Sequence, residues 1–172
     1  MAVGLLAGLL TLTSPGQRLQ ASIGGLTSDP EEMPASVLLC LVVAITDGDT
    51  LKARCGEEGS YQLIKVRLAE IDAPEKVQPF GQRNRQQLAD LCFNQEANIR
   101  ETARDRFGRT VARVRCQGLD ASAEQVKAGM AWAFTRYLTD PEIAQLEKVA
   151  RGTGIGLWAD SSPVPPWEWR RR

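Results

Sequence analysis

The chain has 172 residues, with 21 basic and 21 acidic side chains and a formal net charge of zero. That length fits one packed domain with short appendages, and that charge supplies no broad field to attract a polyanion, so any basic surface has to be local. Histidine is absent, which excludes Ser-His-Asp triads, histidine-ligated zinc and every hydrolytic mechanism built on a histidine base or nucleophile.

In chain order, "MAVGLLAGLLTLTSPG" carries an apolar run too short to span a membrane. It reads as a secretory signal over residues 1–21, with a small-residue cleavage site near Ala21, although no Lys or Arg precedes the run. The expected location is secreted or periplasmic, with no stable membrane insertion once the leader is removed. Residues 22–36 are polar, bear Gly and Pro, and read as a linker.

"VLLCLVVAI" is an apolar, β-branched strand, and "TLKARC" alternates and returns across Asp47-Gly48, a hairpin signal. With Asp47-Gly48 as a two-residue turn, Cys40 faces Cys55 and Cys92 is left for Cys116. No CxxC occurs, so zinc and thioredoxin-type chemistry are set aside. Two disulfides also agree with an oxidising compartment.

"YQLIKVRLAEI" is a third strand. "PFGQRNRQQLADLCF" is a helix with Pro79 in its first turn and Phe80, Leu88, Leu91 and Cys92 as its buried stripe. "ANIRETARD" and "RTVARVRC" are alternating strands joined through "DRFGR", where Gly108 supplies the tight turn. A helix starts at Asp120 and stops near Gly129, and another starts at Asp140-Pro141 and ends at Gly152. Three strands, a helix, two strands and two helices give a mainly β fold with helices (α+β): a five-stranded OB-fold Greek-key barrel with three α-helices over 37–160. The tail 161–172 is rich in Pro, Trp and Arg. Trp132 and Phe134 are expected in the core, Trp167 and Trp169 docked on the domain, and the last three arginines in solvent.

Three stretches carry candidate chemistry. "TDGDT" supplies Asp47 and Asp49, "VRLAEIDAPE" supplies Arg67, Glu70, Asp72 and Glu75, and "DRFGR" supplies Arg106 and Arg109. Singly, each also suits a turn tip or a half-buried strand. Together they form an inventory for phosphodiester hydrolysis. Asp49 and Asp72 can hold a hard divalent cation through oxygen. Arg67 and Arg109 can grip phosphate oxygens with forked hydrogen bonds, and Glu75 can take a proton from an attacking water. Arg67 and Asp72 would face opposite ways on a regular strand, so this reading requires a bulge or turn near Glu70–Ala73.

The ordered set "DGDT", "VRLAEIDAPE" and "DRFGR", followed by "AEQVKAGMAW", "GLW" and "PPWEWRRR", resembles the thermonuclease (staphylococcal, or micrococcal, nuclease) family over roughly residues 37–169. The resemblance implies a Ca²⁺-dependent endonuclease on DNA and RNA that leaves a 3′-phosphate and a 5′-hydroxyl. It implies Asp49, Asp72 and the Ala73 carbonyl as metal ligands, with alanine replacing the type enzyme's threonine at 73. Arg67 and Arg109 become the phosphate arginines, Glu75 the general base and Asp47 an acid behind the metal. Phe107 stands where many relatives have tyrosine. Arg136 and Tyr137 are further candidates for substrate contact, and a monomer is expected. Oxygen ligands also admit Mg²⁺ or Mn²⁺. The competing readings are a non-catalytic OB module binding nucleic acid or protein, and a partner-binding domain that uses the Trp-rich tail.

Overall fold

The computed structural model describes residues 36–172; the expected signal over 1–21, the expected cleavage site near Ala21 and the expected linker up to residue 35 lie outside the described residues. The elements are β1 (Val37–Asp47), β2 (Thr50–Cys55), β3 (Gln62–Leu68), β4 (Ile71–Asp72), α1 (Gly81–Cys92), β5 (Glu96–Arg104), β6 (Thr110–Cys116), β7 (Leu119–Asp120), α2 (Ala121–Lys127), β8 (Trp132–Ala133), α3 (Pro141–Thr153) and α4 (Pro166–Trp169).

Five strands run in the order β3-β2-β1-β5-β6, and β6 returns to pair in parallel with β3 through Val66–Thr110, Arg67–Val111 and Leu68–Ala112. The sheet is thereby closed on itself as a barrel, which removes its free edges. Strand alternation sends Val42, Leu51, Val66, Leu68, Ile99 and Val114 inward, where they meet Leu88 of α1, Val126 of α2 and Ile143 of α3. This is the expected α+β barrel, with one added helix: the tail folds into the short α4.

Both disulfides form as expected, Cys40–Cys55 and Cys92–Cys116. The first arises by a different route from the simple hairpin count. Asp47 pairs with Thr50, so the turn residues are Gly48-Asp49 rather than Asp47-Gly48. Register shifts on β1 between Val42 and Ala44, and again between Ile45 and Asp47, then bring Cys40 opposite Cys55. Each bulge adds a residue to β1 and increases its bend.

Helix ends differ from expectation in two places. Phe80 is not on the α1 stripe; it precedes the helix with φ 68° and packs beside Trp132 and Trp158. Upstream the chain makes tight turns instead, with the Gln78 N–H donating to the Glu75 carbonyl at 2.8 Å and the Gly81 N–H to the Gln78 carbonyl at 2.9 Å. Gly81 lies so close to that backbone that a Cβ would sit 2.0 Å from the Glu75 carbonyl oxygen. α3 runs past Gly152 and stops at Gly154, whose φ of 64° is the left-handed end conformation. Its start is as expected, with the Asp140 side chain accepting from the Glu142 N–H and Pro141 leading the helix.

Candidate active site

The site begins at the tip of the β1–β2 hairpin. Gly48 leaves no space for a side chain, since a Cβ there would lie 2.3 Å from Asn84 Oδ1. Asn84, buried on α1, also donates through Nδ2 to the Pro74 carbonyl at 2.8 Å. Gln125, buried on α2, donates to the Asn84 carbonyl at 2.9 Å and to the Gly48 carbonyl. Two helices thus clamp the hairpin tip and the 72–75 segment to each other. Neither Asn84 nor Gln125 stood out in the sequence, because a polar residue on a helix gives no sign of inward aim.

The second wall comes from β3. The strand ends at Leu68, Glu70 takes φ 66°, and the chain re-enters extended geometry as β4. Glu70 is held there by the Arg113 guanidinium at 3.0 Å, by the Asp140 N–H at 3.3 Å and by the Thr139 hydroxyl. β4 pairs with β8, which sets Asp72 opposite Trp132. The turn required by the Arg67–Asp72 spacing is present.

Arg67 consequently bridges two carboxylates. Its Nη1 lies 2.9 Å from Asp49 Oδ2, and its Nη2 lies 2.9 Å from Asp72 Oδ1. Asp49 is fixed further by the Ala73 N–H at 2.9 Å on Oδ2 and by the Thr50 hydroxyl at 2.9 Å on Oδ1. Arg109 approaches from the β5–β6 turn, with Nη1 3.4 Å from the Thr50 hydroxyl. Asp105 steadies it through Nε at 2.6 Å. Burial opposes charge on Asp105, but hydrogen bonds from the Arg109 N–H and guanidinium and the Phe107 N–H prevail and hold its carboxyl below the usual range. Phe107 is exposed beside both Arg106 and Arg109.

Glu75 follows Pro74, its N–H held by Gln78 Oε1 at 3.1 Å. Asp47, Asp49, Arg67, Asp72, Ala73, Glu75 and Arg109 are therefore gathered at one end of the barrel. Arg136 and Tyr137 are not joined to them. Both are exposed on a short helical turn, Tyr137 is edge-on to Phe134 at 5.1 Å, and among the described residues no hydrogen bond links either to the acid–arginine cluster.

One site residue was missed. Arg170, expected in solvent with the tail, lies on the carboxylates: Nη2 is 2.6 Å from Asp72 Oδ2 and Nη1 is 2.7 Å from Glu75 Oε1. Trp167 docks as expected, 5.6 Å from the Trp132 ring and stacked on Phe134 at 5.7 Å. That docking delivers Arg170 to the site, a consequence of tertiary packing that charge patterning alone does not reveal.

The electrostatics favour a cation. Burial raises the Asp47 carboxyl to about 7, with the charge of Asp49 adding to the effect. Burial likewise raises Asp72, against the opposing hydrogen bond of Arg170 and the charge of Arg67. Buried like charges that resist ionisation together are what a divalent ion relieves. No group of three or more acidic or cysteine side chains converges as a metal cage among the described residues. Asp49 and Asp72 are the neighbouring carboxylates that could hold a hard ion, and so small a side-chain set would leave such an ion several waters.

A closed β-barrel with acids and forked arginines gathered at one end defines an OB-fold protein whose centre is suited to phosphodiester chemistry. The family described as "Staphylococcal nuclease homologue" matches residues 65–160. The chain is 47% identical over 133 residues (77% of its length and 73% of the relative's) to an "Uncharacterized endonuclease" of Haemophilus influenzae. It is 44% identical over 141 residues (76% and 79%) to a "Micrococcal nuclease" of Shigella flexneri. It is also 37% identical over 132 residues (76% and 84%) to an "Uncharacterized endonuclease" of Escherichia coli. The chain belongs to the staphylococcal nuclease family.

Proposed function

We propose that the protein is a calcium-dependent nuclease that hydrolyses DNA, and RNA as well, leaving 3′-phosphate and 5′-hydroxyl ends. The observation that carries this reading is Arg67 bridging Asp49 and Asp72 while Arg109 and Glu75 stand at the same barrel end. A module that only bound nucleic acid would need neither paired buried acids nor Glu75.

Asp49, Asp72 and the Ala73 carbonyl would hold the ion, and Mg²⁺ or Mn²⁺ meet the same oxygen preference. When bound, the ion supplies Lewis-acid polarisation of a phosphoryl oxygen. The protein does the rest with its own groups. Arg67 and Arg109 take the non-bridging oxygens by forked hydrogen bonds and neutralise charge that grows in the transition state. Glu75 accepts a proton from water as the water oxygen bonds to phosphorus. The bond from phosphorus to the 5′ oxygen breaks, and that oxygen takes a proton from solvent water and departs as the 5′-hydroxyl. Asp47 would stand behind the ion, whose charge would favour its ionised form.

A near-neutral chain leaves binding to these local groups and the metal. The same reading places the protein outside the cytoplasm as a monomer, in keeping with its two disulfides. The direct test is cleavage of single-stranded DNA with Ca²⁺ and with chelator, followed by identification of the new ends. Retained binding without cleavage would favour the non-catalytic module.

A further inference from the structure

We propose that Arg170 is a displaceable counter-cation of the metal site, so that its guanidinium and a divalent ion compete for Asp72. The proposal rests on the metal reading above.

Asp72 is almost sealed from water, with 1% of its side chain exposed. A carboxylate in that position needs a partner for each oxygen. Oδ1 has Arg67 Nη2 at 2.9 Å. Oδ2 has Arg170 Nη2 at 2.6 Å, and among the described residues nothing else bonds to it. Arg170 Nη1 also reaches Glu75 Oε1 at 2.7 Å and Asp72 Oδ1 at 3.3 Å. One guanidinium therefore ties the metal-side acid to the acid assigned to the water. An ion that takes Asp72 Oδ2 has to dislodge it.

The two partners differ in their freedom to move. Asp72 is locked in β4, whereas the Arg170 side chain is 44% exposed. The segment that carries Arg170 is anchored upstream. Gln78 Nε2 donates to the Val164 carbonyl at 2.6 Å, Pro166 is buried, and Trp167 packs on Trp132 and Phe134. The guanidinium can swing outward while α4 stays docked. The exchange is then local, from one cation to another on the same carboxylate, and the tail sets the threshold concentration of metal at which the site loads.

The test is calorimetric titration of the full chain with calcium chloride, without nucleic acid. Wild type is compared with Arg170→Gln and with Arg171→Gln. The control removes an equal charge from an exposed neighbour that makes no ion pair among the described residues. Loss of two charge-assisted bonds that oppose the ion is expected to tighten Ca²⁺ binding by Arg170→Gln about tenfold or more. Arg171→Gln is expected to stay near wild type. Arg170→Lys keeps the charge but loses the fork, and is expected to fall between; it also serves if the glutamine variant folds poorly. Detectable binding by Arg170→Gln alone would support the competition as well. Equal affinity in Arg170→Gln and Arg171→Gln would overturn the competition and leave the metal reading standing. No binding by any variant would overturn both.

Discussion

Arg67 and Asp72 are five positions apart, yet Arg67 Nη2 lies 2.9 Å from Asp72 Oδ1. A straight strand would aim them at opposite faces. Glu70 with φ 66° turns the chain between them, and Arg113 holds Glu70 in that conformation. Lysine cannot span two carboxylates with a planar fork. Arg67→Lys is therefore expected to lower kcat on single-stranded DNA by about 100-fold or more, and to lower the thermal midpoint as well, since one buried carboxylate loses its partner. Steady-state kinetics beside a melting curve checks this.

Gly81 places the α1 start against the backbone of Glu75. A Cβ at 81 would lie 2.0 Å from the Glu75 carbonyl oxygen and 2.8 Å from that of Lys76. Because both obstacles are backbone, Gly81→Ala has to shift the segment that carries Glu75. The expected result is a loss of about 1–3 kcal/mol in stability and a drop in activity greater than the unfolded fraction explains. Denaturant titration and activity on the same samples separate the two.

Asp47 gives a pH signature. Its carboxyl is raised by burial and by Asp49 to about 7, against an ordinary value of 3.8. The folded state then holds a proton that the unfolded state has released. This contribution to stability is fully present below pH ~4 and is lost as pH rises through about 7. In chelator, wild-type stability is expected to decline across that window, and Asp47→Asn is expected to flatten the decline. Urea titrations at stepped pH report it. A rise in wild-type stability with pH that Asp47→Asn leaves unchanged would contradict the assignment.

The disulfide Cys92–Cys116 ties the end of α1 to the end of β6 across 24 residues. Replacing both cysteines with serine is expected to cost about 3 kcal/mol. Because Cys116 ends β6 and Arg109 immediately precedes its start, the bridge sits at the opposite end of that strand from the acid–arginine residues, and the folded fraction is expected to keep its kcat. Denaturant midpoints with and without reductant check the first part, and kinetics at low temperature the second.

Much of this was legible in the sequence, for identifiable reasons. Barrel strands show themselves by alternation and by turns such as Asp105–Arg109, which are local properties. The acids and arginines cluster in short motifs, so their convergence could be anticipated once a turn near Glu70 was required. The Cys40–Cys55 pairing was anticipated through a simpler hairpin, because bulges leave no mark on hydrophobic patterning. What stayed hidden depends on contacts far apart in sequence. Asn84 and Gln125 clamp Gly48 from two helices, and Arg170 reaches Asp72 only because Trp167 finds Trp132 and Phe134. Arg136 and Tyr137 illustrate the converse: a plausible aromatic–basic pair that no hydrogen bond joins to the cluster among the described residues.

Glu75 follows Pro74 and shares the Arg170 guanidinium with Asp72, and its proposed part in metal-dependent phosphodiester hydrolysis is open to direct test. The measurement is cleavage of single-stranded DNA by wild type and by Glu75→Gln, each with Ca²⁺ and with chelator. The expected result is Ca²⁺-dependent cutting by wild type that falls about 100-fold or more in the variant, with folding and metal binding retained. Intact DNA after incubation with well-folded wild type and Ca²⁺, Mg²⁺ or Mn²⁺, together with retained DNA binding, would contradict the claim.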